Sequence, residues 1–346
     1  MVKIDFFDST LRDGLHATNH RISEDNIEDY CQAMDYSGMH VIIIGHGNGL
    51  GASSLQVGIS SLHEREMLKV ARDNLEKTKL GVYMIPGFGT IKDNLIPAID
   101  CGVDIFAIGS HATEADTTRQ HIQFLAAQGK EVYGVLMMYH MASTEKILEE
   151  CQKMQDYGAS GVVLMDSAGA STPELVKKTI STLYEGLNIK IGFHGHNNLG
   201  LAISNSYIAI QEGASIIDGT LRGFGAGAGN CQLEALVALL EKNEIKTSAK
   251  LYNMLDASEL LMPEIMDKEM GIDPISIVSG MSGVFSAFKV PVLKAAKEFN
   301  VDPKDILIEL GHRKVIGGQE DMIIEIAEKL ANARVSDIDY YLESLL

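Results

Sequence analysis

Two histidines separated by one residue, in Phe193-His194-Gly195-His196-Asn197-Asn198, form the pair in this chain best suited to chemistry. On a β-strand, residues two apart share a face, so His194 and His196 point the same way. Two imidazoles on one face begin a metal site. The competing reading is a pair of hydrogen-bonded core histidines. A third ligand should be a carboxylate from another strand end. Asp8-Ser9-Thr10-Leu11-Arg12-Asp13-Gly14-Leu15-His16 crowds two acids, an arginine and a histidine into one short segment. Asp13 is the expected ligand. Two nitrogens and one oxygen with open positions suit Mn²⁺, Mg²⁺, Co²⁺ or Fe²⁺, and a 2-oxo acid can chelate at the positions left open. Arg12 then offers a fixed positive fork to an oxygen that becomes an enolate; its alternative is an ion pair with Asp8 or another acid. His16, with a free pKa of about 6.5, could serve as a general base or be a loop histidine.

Other residues are less specific. Ser167 follows an apolar run and could hold a substrate carboxylate through its hydroxyl, or cap its own D-S-A-G turn. His46, His111 and His140 also follow apolar runs and read as rim residues. Gly45–Gly51 and Gly223–Asn230 are rich in glycine. They could cradle an anion with backbone N–H groups, yet neither has Rossmann or P-loop spacing. Both are read first as tight turns.

The elements that must position these residues recur with a regular rhythm. Apolar, β-branched runs lie at Lys3–Asp8, His40–Gly45, Lys79–Ile85, Val103–Gly109, Glu131–Met138, Gly161–Asp166, Ile189–His194 and Ser215–Thr220. Their near-continuous apolarity fits parallel strands covered on both faces. Between them lie helical segments such as Ser23–Ser37, Thr144–Tyr157 and Thr172–Leu187, with N-caps at Ser23 and Thr172 and Pro173 at a first helical position. Gly38, Gly102, Gly129, Gly158 and Gly213 fall where helices should end. Eight strand–helix units predict an α/β fold of the (β/α)8 TIM-barrel type, which occupies about 250 residues and carries its site at the C-terminal strand ends. An open doubly wound sheet is the alternative, and the strand count together with the lack of an early G-x-G-x-x-G favours closure. Beyond the barrel, Leu251–Glu264, Ser286–Phe299, Pro303–Leu310 and Asp321–Ala333 read as helices. The expected division is residues 1–255 as catalytic barrel and 256–346 as a helical C-terminal domain covering the mouth.

Composition narrows the function classes. A formal net charge of −18 over 346 residues argues against a nucleic-acid partner, which draws on clustered Lys and Arg. No apolar run approaches the roughly 18 residues needed to span a bilayer. The N-terminus enters a strand at once, so a signal peptide is not expected and the reading is cytoplasmic. Cys31, Cys101, Cys151 and Cys231 show no C-x-x-C pairing and read as buried thiols in a reducing compartment.

Taken together, D-S-T-L-R-D-G-L-H at Asp8–His16, H-G-H-N-N-L-G at His194–Gly200 and G-A-G-A-G-N at Gly225–Asn230 resemble the metal-dependent pyruvate-aldolase and acyl-transferase barrels. H-G-N-G-L-G-A-S-S from His46, S-H-A-T-E-A-D around His111 and G-H-R-K-V-I-G-G-Q-E-D-M at Gly311–Met322 look like the 4-hydroxy-2-oxovalerate aldolases within that superfamily. The resemblance implies that Asp13, His194 and His196 bind Mn²⁺ (or Mg²⁺ or Co²⁺), with Asn230 approaching the ion. It implies that Arg12 stabilises a pyruvate enolate, His16 is the base and Ser167 holds substrate. It further implies cleavage of a 4-hydroxy-2-oxo acid to pyruvate and an aldehyde, and association with an acylating aldehyde dehydrogenase in a homo- or hetero-oligomer. One departure stands out: Phe285 occupies the position where these aldolases carry a tyrosine over the substrate, so the ring remains while the hydroxyl is lost. The alternatives weighed are an acyl-CoA-using Claisen enzyme of the superfamily, a non-haem iron oxygenase and a catalytically idle metal-binding barrel.

Overall fold

Runs of apolar residues bounded by turn formers become the strands of a computed structural model that describes residues 3–343. The strands are β1 (Asp5–Asp8), β2 (Val41–Ile43), β3 (Lys79–Met84), β4 (Ile105–His111), β5 (Glu131–Met137), β6 (Gly161–Asp166), β7 (Lys190–Gly195) and β8 (Ile216–Gly219). Each pairs in parallel with the next, and β8 pairs with β1 through Asp5↔Ile216 to Asp8↔Gly219, closing the barrel. The expected TIM barrel is therefore the observed fold, and closure excludes the open sheet.

The helices are α1 (Glu24–Met34), α2 (Glu64–Asp73), α3 (Ile96–Asp100), α4 (Arg119–Ala127), α5 (Thr144–Asp156), α6 (Pro173–Gly186), α7 (Ala202–Gln211) and α8 (Leu233–Lys242), followed by α9 (Leu251–Leu260), α10 (Met262–Ile265), α11 (Pro274–Ser282), α12 (Lys289–Phe299), α13 (Pro303–His312) and α14 (Asp321–Glu343). Ser23 closes a capping box with Asn26, and Thr172 caps α6 with Pro173 behind it. Gly38 and Gly213, at φ 84° and 108°, take the left-handed conformation that follows α1 and α7.

Side chains on the two faces of the strands build two cores. Phe7, Val41, Ile105, Val163 and Ile216 fill the barrel interior, while Phe6, Ile42, Leu80, Phe106, Val162 and Phe193 face the surrounding helices. α9 runs through residues 255 and 256. Its Met254 and Ala257, with Met262 and Ile265 of α10, join the barrel's outer core. A separate core holds Val284, Phe288, Val292, Ile306, Leu310 and Ile326. Residues 1–2 and 344–346 of the two expected units lie outside the described residues.

The helical unit reaches the barrel mouth through the loop between α11 and α12. Ser286 N donates to Ser167 O (2.8 Å), Asn198 Nδ2 to Ser286 Oγ (3.0 Å) and Lys289 Nζ to Gly227 O (3.3 Å). These bonds fix Phe285, on the same loop, over the C-terminal ends of the strands.

Candidate active site

The chain leaves β1 through a tight turn. Asp8 Oδ1 accepts from Thr10 N (2.9 Å), and Ser9 O accepts from both Arg12 N and Asp13 N (3.0 and 2.8 Å). A single turn of 3₁₀ helix, Asp13–His16, then lifts Arg12, Asp13 and His16 into the mouth. β7 delivers His194, and His196 follows one residue past its end, with ring centroids 5.1 Å apart. One potential ligand atom from each of Asp13, His194 and His196 lies within 4.8 Å of the others, and all three residues are buried.

Their neighbours orient them. Arg12 Nη1 donates to Asp13 Oδ1 (3.0 Å), and Asn230 Nδ2 donates to Asp13 Oδ2 (2.6 Å). Gly225 is needed here: a Cβ on it would lie 2.0 Å from Asn230 Nδ2 and 2.4 Å from Asp13 Oδ2. Asp218, at the end of β8, was not singled out in the sequence. Its Oδ2 stands 3.1 Å from His194 Nδ1 and 3.9 Å from Arg12 Nη2. A carboxylate there favours a proton on Nδ1 and leaves the Nε2 lone pair free, as an outer partner commonly does for a metal-binding histidine. Only its place at a strand end, in Ile217-Asp218-Gly219, could have marked it in advance.

The donor set fits a divalent cation. His194 Nε2, His196 Nδ1 and Asn230 Oδ1 are buried and have no hydrogen-bond partner among the described residues. Leaving such atoms unpaired is costly. Metal binding also requires a charged carboxylate and neutral imidazoles. Burial by itself would raise the Asp13 carboxyl, but His196, Arg12, His16 and His194 outweigh it and hold it well below the usual range. Burial pushes His196 down to about 4 against the pull of Asp13.

His16, Arg12, Asp13, His196, Tyr83 and Phe285 line one innermost cleft. Burial, with a smaller push from Arg12, lowers His16, so its ring is neutral and able to accept a proton. Beside it, His20 and His46 stack at 3.6 Å between ring centroids. Each fastens the 46–58 loop: His20 Nε2 bonds Val57 O, His46 Nε2 bonds Gly58 O (both 3.1 Å), and their Nδ1 atoms accept from Gly47 N and Asn48 N. His46 is thus a structural rim residue, and His20 is a second that the sequence reading passed over. His111 and His140 also sit at the rim, bonded to Thr113 Oγ1 and Gly283 O (both 3.3 Å). The D-S-A-G turn is capped by Asp166, which accepts from Ala170 N and Ser171 N (both 3.0 Å). Ser167 is buried nearby, its Oγ accepting from Met138 N (3.3 Å), and it does not line the innermost cleft. Both glycine-rich stretches are turns at the mouth, as expected. Phe285 lines the cleft and two larger adjoining pockets of about 350 and 460 Å³.

A closed parallel barrel with an Asp-His-His cluster, an arginine and a histidine at its C-terminal strand ends belongs to the metal-dependent lyase barrels. Residues 3–261 match the HMGL-like family, and the chain belongs to it. Residues 270–332 match the DmpG-like communication domain. At the level of particular proteins, the chain is 50% identical over 337 residues to the 4-hydroxy-2-oxovalerate aldolase of Pectobacterium atrosepticum, covering 97% of this chain and 98% of that one. It is 50% identical over 330 residues to 4-hydroxy-2-oxovalerate aldolase 2 of Salinispora arenicola, covering 95% of each. The protein is accordingly a carbon–carbon lyase of the aldolase type. Solved structures agree on the fold. The carboxyl transferase domain of Rhizobium etli pyruvate carboxylase superimposes with a TM-score of 0.82 at 13% identity, over 96% of this chain and 61% of that one. The N-terminal domain of a putative aldolase from Bacteroides vulgatus gives 0.72 at 23% identity, over 86% of this chain and 98% of that one.

Proposed function

We propose that the protein is a class II aldolase that uses a divalent metal to cleave a 4-hydroxy-2-oxo acid, of the 4-hydroxy-2-oxovalerate kind, into pyruvate and an aldehyde. The observation that carries this reading is the convergence of the Asp13–His194–His196 cluster with Arg12 and His16 on one cleft. In this reading the three cluster residues hold Mn²⁺, with Mg²⁺ or Co²⁺ as alternatives, and Asn230 Oδ1 is a further donor. The bound ion supplies a Lewis acid that polarises the substrate's ketone.

The remaining chemistry falls to the chain. Neutral His16 takes the proton of the 4-hydroxyl group. The C4 oxygen becomes a carbonyl as the C3–C4 bond breaks, and the electron pair passes toward the ketone oxygen. Arg12 faces that oxygen with a charge already fixed by Asp13, Gly47 O and Ser9 Oγ. Its buried Nε has no partner among the described residues. Such preorganised donors act where charge develops and need no reorganisation. The proton that His16 took is then returned, directly or through water, to C3, which gives pyruvate. Phe285 packs its ring over the bound acid, and Ser167 acts from behind the cleft wall, its Oγ accepting from Met138 N.

The wider reading has the barrel carrying catalysis and the helical unit, built on the second core, serving association. Its partner in this reading is an acylating aldehyde dehydrogenase that consumes the aldehyde, in a homo- or hetero-oligomer. The match to a communication domain supports it, as do exposed apolar side chains on that unit: Met281 at 65%, Val290 at 57% and Leu293 at 42%. Its location is cytoplasmic, supported by four cysteines that are all free thiols. Among the described residues no helix is long and apolar enough to cross a membrane.

The test uses purified protein, Mn²⁺ and pyruvate in D₂O, following loss of the methyl-proton signal by NMR, alongside pyruvate release from 4-hydroxy-2-oxovalerate. Both activities should depend on metal and vanish in His194→Ala. Folded, metal-loaded protein with neither activity would overturn the reading.

A further inference from the structure

Tyr83 and Tyr133 both lie among the apolar side chains of the barrel interior. Tyr133 spends its hydroxyl on Glu131 at the N-terminal end of the strands. Tyr83 is only 3% exposed, and its hydroxyl has no partner among the described residues. Phenylalanine would fill the same space without stranding a buried O–H, a state that costs stability. The neighbouring strand makes room for this oxygen: a Cβ on Gly109 would lie 2.1 Å from Tyr83 Oη.

The position of that hydroxyl relates it to the proposed chemistry. Tyr83 lines the innermost cleft together with Arg12, Asp13, His16, His196 and Phe285. The Arg12 guanidinium lies 4.9 Å from the centre of its ring. Gly109, against the hydroxyl, lines the adjoining pocket of about 350 Å³, which shares Ile85, Met137 and Phe285 with the cleft. The hydroxyl is buried in the wall between the cleft and Gly109, on the side of the space left for the rest of a substrate, while Arg12 and the Asp-His-His cluster serve its 2-oxo acid end. Burial raises the phenol far above its ordinary range, so it remains a donor at any working pH.

We propose that Tyr83 contacts the substrate directly, its hydroxyl donating a hydrogen bond to the C4 oxygen of the 4-hydroxy-2-oxo acid, the oxygen that leaves as the aldehyde carbonyl. The inference rests on the aldolase reading and assigns the aldehyde half of the site to this residue. It supplies from the cleft wall a donor that the Phe285 ring lacks. No proton is transferred: His16 takes the hydroxyl proton, and Tyr83 orients the oxygen.

The test is Tyr83→Phe in the full chain with Mn²⁺. Its kcat/KM for cleaving 4-hydroxy-2-oxovalerate should fall about 10- to 100-fold, while metal-dependent deuterium exchange of pyruvate stays within about twofold of wild type. Its melting temperature without substrate should be unchanged or higher, because a stranded hydroxyl has been removed. Unchanged cleavage would overturn the inference. So would an equal fall in cleavage and exchange, which would assign Tyr83 to the support of Arg12. Wild-type protein that neither cleaves nor exchanges would sink the aldolase reading and this inference together. Wild-type cleavage that Tyr83→Phe leaves untouched removes the inference alone.

Discussion

Replacing Asp218 with asparagine keeps the side-chain volume and removes the negative charge that lies 3.1 Å from His194 Nδ1 and 3.9 Å from Arg12 Nη2. Two unit charges about 4 Å apart attract by about 4 kcal/mol at an effective dielectric near 20. Much of that gross attraction offsets the cost of keeping Arg12 and Asp218 out of water. The net effect is set by the histidine, whose ring orientation and tautomer depend on what accepts from Nδ1. Loss of such an outer partner typically lowers metal affinity or activity about 10- to 100-fold, equivalent to about 1.4–2.7 kcal/mol. The amide oxygen of the substituted side chain still presents a partial negative charge to Nδ1, so Asp218→Asn should sit near the 10-fold end and Asp218→Ala near the 100-fold end. The assay is Mn²⁺ affinity by calorimetric titration, with melting curves to confirm that both variants fold. A Mn²⁺ affinity within about twofold of wild type for both variants would refute the reasoning.

Removal of Asp13 should be harsher: Asp13→Ala is expected to lose stoichiometric Mn²⁺ and deuterium exchange together, and exchange that survives without metal would separate the two. Gly225→Ala should cost more than about 10-fold in Mn²⁺ affinity while the melting temperature changes little, since the new methyl group meets Asn230 Nδ2 and Asp13 Oδ2 at 2.0 and 2.4 Å; unaltered affinity would show that the loop yields without moving Asp13. Burial, opposed by hydrogen bonds from Thr10 and Tyr30, raises Asp8 to about 6 from 3.8. Folding therefore favours the protonated form, and the stability present below about pH 4 is lost as pH rises through 6. Relative to Asp8→Asn, the wild type should lose on the order of 3 kcal/mol of unfolding free energy across that window. Denaturant titrations of the two proteins at pH 4 and pH 7 measure this, and parallel stability profiles would count against it.

The sequence specified most of the elements because their signals are local. β6 occupies Gly161–Asp166, the same span as its apolar run, and Ser23 and Thr172 cap their helices as their residue types suggest. H-x-H on a strand places both rings on one face wherever that strand lies, so His194 and His196 were legible with no tertiary information. Asp13 could be chosen because it shares one short segment past a strand end with Arg12 and His16. α11 was missed for a physical reason. It buries Ser276, Ser279 and Gly280 and exposes Ile277 at 46% and Met281 at 65%, an inversion of the pattern from which amphipathic helices are read.

What only the tertiary structure decided are the pairings across distance. Asn230 grips Asp13 across 217 positions, and Asp218 meets His194 and Arg12 only because β8 closes against β1 and β7. Phe285 reaches the cleft because a second core holds its loop over the barrel mouth. Whether a buried polar atom has a partner depends on every neighbour around it, and that distinguishes Tyr83, with its unpaired hydroxyl, from Tyr133, which is spent on Glu131. Residue type and spacing determined the chemistry this chain could perform. Closure of the barrel determined which groups share a site, because those contacts join segments whose separation along the chain carries no periodic signal.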